Sequence, residues 1–171
     1  MPPDDLGQAT AMLVGLVEEA TGRPIDAWDG STTLFGRDTP PTPDDRVPDV
    51  LANAASIVGV VPRLDRSLLY ALRDREADIT AVVVVTGRAR KRLTGPTRLA
   101  ARSVLEERDV TLYAHEGDSP VGVLLVDDRV LVGLFDEDGL AAALVTDAPG
   151  VREWAVATCR RYRAAAELLF E

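Results

Sequence analysis

Apolar positions along this chain follow two rhythms, one of helical period and one of short β-branched runs, and the two alternate. Leu6, Ala9, Leu13, Leu16, Val17 and Ala20 recur at helical spacing, which predicts a helix over Leu6–Thr21, stopped by Gly22 and Pro24. From 25 to 46 no period holds. Asp29-Gly30, the prolines at 40, 41 and 43, and Asp44-Asp45 read as a surface loop or linker. Val47–Ala55 is helical by pattern, since Pro48 is tolerated in a first turn and Asp49 suits the positive end of the helix dipole. Ile57–Val61 is a short apolar run ended by Pro62 and predicts a buried strand, after which Asp65 caps a helix through Leu68, Leu69 and Leu72 to about Arg75.

Ile79–Val85 is the strongest strand signal. It loses all polar alternation after Thr80, so both of its faces should be covered, as in the interior of a parallel sheet. A helix over Arg98–Arg108 and a strand over Val110–Ala114 follow, and this strand-helix order implies parallel pairing through right-handed crossovers. The rhythm then changes. Val121–Val126 and Arg129–Phe135 are separated only by Asp127 and Asp128, a hairpin spacing. Ala141–Val145 reads as a last strand. Val151–Phe170 reads as a long helix with Trp154, Ala157, Thr158, Arg161, Tyr162, Ala165 and Leu168 or Leu169 on one side. The expected architecture is α/β, a mixed but mostly parallel sheet with helices on both faces, over 47–171, preceded by a looser helix and Pro-rich linker, 1–46.

Composition narrows the picture. With 171 residues, 46% of them hydrophobic, the chain can bury one sizeable core. Its net charge is -9, from 18 Asp and 10 Glu against 18 Arg and the single Lys91. In molar salt the Debye length shrinks to ~3 Å, so such a surface repels itself little, whereas dilute buffer loosens it. The acidic sign also argues against this chain alone holding a phosphate backbone. Cys159 is the only cysteine, which excludes an internal disulfide and a cysteine-rich zinc site. The start of the chain is acidic and no apolar stretch is long enough to span a bilayer, so a soluble cytoplasmic protein is expected, with no membrane contact.

Candidate chemistry gathers after the strands. Thr86–Arg92, TGRARKR, places four basic side chains directly behind the strongest strand, where open α/β sheets tend to bind ligands, so Thr86, Arg88 and Arg90 are candidates for holding an anion. A solvated face offsetting the acidic surface is the alternative. Arg63, Asp65 and Arg66 follow the first parallel strand, and His115, Glu116 and Asp118 follow the third. Parallel neighbours would bring Arg63, Asp65, Arg66, Arg88, Arg90, His115 and Asp118 to one rim. One histidine beside two acids is a poor transition-metal set, and neither metal nor cofactor is expected. Trp154 and Tyr162 are read as core or interface anchors. Nucleophile-elbow, phosphate-loop, zinc-protease and dinucleotide motifs are absent from the sequence.

The region from Val47 to Glu171, through GVVPRLD, LYAHEGDSPVGVLLVDDRVLVGLFDEDG and REWAVATCRRYRAAAELL, resembles the effector-sensing half of archaeal winged-helix transcription regulators, the TrmB-like and FilR-type families. The acidic balance gives it a haloarchaeal cast. The resemblance implies a phospholipase-D-like sensor, catalytically inactive, that forms a homodimer and tunes a DNA-binding domain in response to a small effector. The phospholipase D signature, His-x-Lys followed by Asp, is missing, because Lys91 precedes His115 and lies far from it. Before Val47 there is one predicted helix, too little for the two-helix unit that enters a major groove, so direct nucleic-acid binding is not expected and a separate DNA-binding regulator becomes a candidate partner. Two other readings stay open. One is an enzyme acting on a phosphorylated or carboxylated small molecule at the rim of Arg63, Arg88, Arg90 and His115, and the other is an interaction module that uses the terminal helix.

Overall fold

A computed structural model of the chain describes residues 7–38, 40–63, 79–95, 99, 102–103 and 109–170. The elements are α1 (Gln8–Thr21), β1 (Thr32–Gly36), α2 (Pro43–Ala52), β2 (Ser56–Val61), β3 (Thr80–Val85), α3 (Gly87–Thr94), β4 (Asp109–Ala114), β5 (Val121–Val126), β6 (Arg129–Asp136), β7 (Gly139–Thr146), α4 (Pro149–Ala164) and β8 (Glu167–Phe170). The predicted helices over 65–75 and 98–108 fall largely outside the described residues, as do Asp65 and Arg66.

The eight strands among the described residues form one mixed sheet in the order β1-β7-β6-β5-β2-β3-β4-β8. Parallel pairing is confined to β2, β3 and β4, while the other five ladders are antiparallel. The expectation of a mostly parallel sheet is corrected on this point. The local meander β5-β6-β7 supplies three strands to the same sheet, because two-residue connections at 127–128 and 137–138 permit only antiparallel return. The Asp127-Asp128 hairpin forms as the spacing predicts, with Val126 opposite Arg129 and Asp127 in a left-handed conformation at φ 55°. The Asp127 carboxylate accepts the amides of Ala55 and Ser56, at 3.1 and 3.0 Å, which pins the hairpin to the start of β2.

Helices cover both faces, as the apolar run at Val82–Val85 requires. Strand alternation sends Val61, Val83 and Val85 to one face, under Val47 and Leu51 of α2 and Ala89 and Leu93 of α3. Val60, Val84, Val123, Val132 and Leu144 point to the other, under Leu13 and Val17 of α1 and Val151, Ala155 and Cys159 of α4. Each fully buried Leu or Val adds about 1.5 to 3 kcal/mol relative to exposure.

Three local expectations give way. Residues 32–36, read as loop, are an edge strand on β7; five residues of mixed exposure carry no periodic signal, and their partner lies more than a hundred residues away. The second helix starts at Pro43, one turn early, because the Asp45 carboxylate accepts both the amide and the hydroxyl of Thr42 and closes its first turn. The terminal helix stops at Ala164, and Glu167–Phe170 instead fills the open edge of β4. Its buried stripe is Val151, Ala155, Thr158 and Cys159, whereas Ala157 and Arg161 face outward.

Candidate functional site

Strands β2, β3 and β4 end level with one another, Val61 beside Val85 and Val85 beside Ala114. The three segments that follow are therefore brought to a single rim. Main-chain bonds join them: the Thr86 amide donates to Val61, His115 to Val85, Ala89 to Pro62, each at 3.0 Å, and Gly87 to Gly117 at 3.3 Å. Gly87 sits at φ 50°, and a Cβ there would stand 2.5 Å from Oδ1 of Asp118, so glycine suits both the left-handed backbone and the close approach of the Asp118 carboxylate.

Below the rim, the buried hydroxyls of Thr86 and Ser119 meet at 2.8 Å. Above it, a cleft of about 370 Å³ opens, lined by Arg63, Arg88, Asp118, Ser119, Phe135 and Asp136 together with Pro62, Pro120 and Glu137. The acids on this wall are partly committed. Oδ1 of Asp118 accepts the Ser119 amide at 2.9 Å. Arg37 holds both carboxylate oxygens of Asp136, at 2.7 and 2.8 Å, and that pairing draws the Asp136 carboxyl down to about 2 while raising the Arg37 guanidinium. Arg63 donates to the main-chain carbonyl of Asp136. Neither Arg63 nor Arg88 has a carboxylate in salt-bridge reach among the described residues.

Of the residues predicted from sequence, Arg63, Arg88 and Asp118 line the cleft and Thr86 lies directly under it. His115 sits at the far side of the Asp118 loop. Its Nδ1 accepts the Gly117 amide at 2.9 Å, and its ring lies 4.9 Å from that of Tyr162, tilted by 59°. Arg90 is carried on α3 and does not line the cleft. The basic run is itself helical, so its side chains radiate around an axis and only part of the cluster can face one place.

Tyr162, expected at an interface, also serves the rim: its hydroxyl donates to the Asp118 carbonyl at 3.3 Å. Trp154 stays away from the rim, half-buried against the α1/α4 side of the sheet. Ser119, Phe135, Asp136 and Glu137 are not singled out by the sequence, because their proximity to Arg63 depends on β5 and β6 pairing beside β2. Cys159 is buried, and burial pushes its thiol up to about 11. No cluster of three or more His, Cys, Asp or Glu capable of holding a metal ion occurs among the described residues, and no helix among them is long and apolar enough to cross a membrane.

The eight-stranded mixed sheet with helices on both faces is similar in fold to the phospholipase-D-like class of α/β proteins. A member of that class, Nuc from Salmonella typhimurium, superimposes with a TM-score of 0.63 at 17% identity over 84% of this chain and all of its own. NucT from Helicobacter pylori gives 0.60 at 12% identity over 82% of this chain and all of its own. TrmBL2, an archaeal chromatin protein with a novel mode of DNA binding, gives 0.56 at 15% identity over 91% of this chain but 61% of that longer one. Residues 40–165 match the family described as "Methanogenesis regulatory protein FilR1, middle domain", and the chain belongs to that family. It is thus a middle domain of the kind found in that regulatory protein, and its fold is similar to that of TrmBL2. Comparison with curated protein sequences gives no match.

Proposed function

We propose that this domain is the effector-sensing part of a transcription regulator and binds a small anion in the rim cleft without turning it over. The observation that carries the reading is the pair Arg63 and Arg88. They come from two different post-strand segments, face one concavity, and have no carboxylate within salt-bridge distance among the described residues, while the Asp136 carboxylate is held by Arg37 and acts on Arg63 only at longer range. Guanidinium groups without a protein carboxylate are suited to a carboxylate or phosphate from outside. The single histidine has Nδ1 engaged by Gly117, and the His-x-Lys pair of the phospholipase D signature is not in the sequence, which supports binding without catalysis. Net charge -9 supports DNA contact by a separate unit, which the domain would control as a homodimer.

Calorimetry with inorganic phosphate, citrate and short monocarboxylates tests this. Arg63→Ala with Arg88→Ala should weaken the best of these by about 1 to 3 kcal/mol with an unchanged circular dichroism spectrum. Equal affinity in the double variant returns both arginines to surface charge. Steady release of nitrophenol from bis(p-nitrophenyl) phosphate would favour the enzyme reading instead.

A further inference from the structure

Immediately behind Phe135 lies a second cavity, of about 30 Å³, which shares Arg63 and Phe135 with the rim cleft and is otherwise walled almost entirely by carbon: Val47, Leu124, Leu131 and Leu140. Its floor is made by two glycines. Gly122 of β5 and Gly133 of β6 are directly paired across the ladder. Glycine inside a strand weakens it, and it recurs where a ligand or another backbone comes close. Phe135 accounts for part of the requirement, since its ring edge would stand 3.1 Å from a Cβ at Gly122 and 3.5 Å from one at Gly133. Leu140 accounts for more of it, its side-chain tip standing 2.8 Å from where a Cβ at Gly133 would lie, and a void remains beyond these two side chains. Gly59 on neighbouring β2 is filled more tightly, by the Leu124 side chain and the Val123 carbonyl, and does not line this cavity. On a scale where one water-sized sphere needs about 10 to 15 Å³, the void takes roughly two methyl-sized groups, and with so few polar partners it is a poor home for water.

We propose that the effector is a small amphipathic acid whose carboxylate rests on Arg63 and whose short apolar end enters the cavity beside Gly122 and Gly133, past the Phe135 ring. The proposal rests on the anion-binding reading and specifies its ligand class. Charge order along the path fits: a cation at the mouth, where cleft and cavity meet, and carbon beyond it. Asp44 also borders the cavity, and its charge acts on Arg37, which holds Asp136.

The test is calorimetry of the whole chain with the straight-chain series from acetate to hexanoate, and with inorganic phosphate. Affinity should rise about fourfold per methylene through butyrate and then level off as the cavity fills. Gly133→Ala would bring a Cβ within 2.8 Å of the Leu140 side-chain tip and push it into the void. This variant should erase the rise while leaving acetate and phosphate affinity as they were; Val47→Leu, from the opposite wall, should do the same and serves if the first fails to fold. Affinity independent of chain length, still lost in Arg63→Ala, overturns the apolar subsite and leaves the anion reading standing. Binding of no carboxylate, or none sensitive to Arg63, overturns both.

Discussion

Thr86 and Ser119 share a hydrogen bond of 2.8 Å between two buried hydroxyls, and this contact fastens the end of β3 to the loop that carries Asp118. Thr86→Val keeps the shape but strands the Ser119 hydroxyl away from water, which should cost about 1 to 3 kcal/mol in urea unfolding at fixed salt. Thr86→Val combined with Ser119→Ala should cost less than the sum of the two single changes, since no orphaned hydroxyl remains. Additive losses would show that the two side chains act separately.

The Arg37–Asp136 pair gives a pH signature. The Asp136 carboxyl is lowered to about 2 from its usual 3.8, chiefly by the Arg37 hydrogen bonds. A lowered carboxyl contributes stability that is fully present above 3.8 and disappears as pH falls through about 2. Both groups are substantially exposed, so the contribution is small and screened by salt. Carboxyl-carbon NMR should place the Asp136 midpoint near 2, and Arg37→Ala should return it toward 3.8. A midpoint unmoved by that substitution would dissolve the pair.

Amides of Val83, Val84 and Val85 should be among the slowest in the domain to exchange with solvent, because β3 is bonded on both sides and covered on both faces. Hydrogen exchange in high salt measures this directly. Exchange there as fast as in the edge strand β1 would contradict the burial that defines the sheet interior.

Cys159 should resist thiol reagents in the folded protein. Burial keeps the thiol protonated to about pH 11 and hides the sulfur beneath α4, so Ellman's reagent should react over hours at pH 8 and within seconds after denaturation. Prompt reaction of the native protein would mean that α4 lifts from the sheet.

Much of this fold is legible in the sequence because the decisive signals are local. The ITAVVVV run, the Ile57–Val61 strand stopped by Pro62 and the Asp127-Asp128 turn each announce their structure within a few residues. β1 and β8 are not legible for the opposite reason. TTLFG and ELLF become strands only through the open edges of β7 and β4, and Leu168 and Leu169 fit the preceding helical period as well as they fit a strand. The site divides in the same way. Arg63, Thr86, Arg88 and Asp118 follow from the rule that ligands gather beyond the carboxyl ends of parallel strands. Ser119, Phe135, Asp136 and Tyr162 join them only after an antiparallel meander and a docked helix have been laid against β2 and β4, which no spacing in the sequence encodes.

The outermost ladder also sets an order of assembly. Thr32 and Thr146, whose hydroxyls meet at 2.9 Å across β1 and β7, are 114 residues apart in sequence, whereas β5, β6 and β7 are joined by two-residue turns. Closing the long loop costs more chain entropy than forming the meander, and it has no template until β7 is in place. Helix α1 rests on β7 and β1 and waits on the same event. On this loop-closure argument the N-terminal flank is expected to be the last part of the domain to gain amide protection in pulse-labelled refolding.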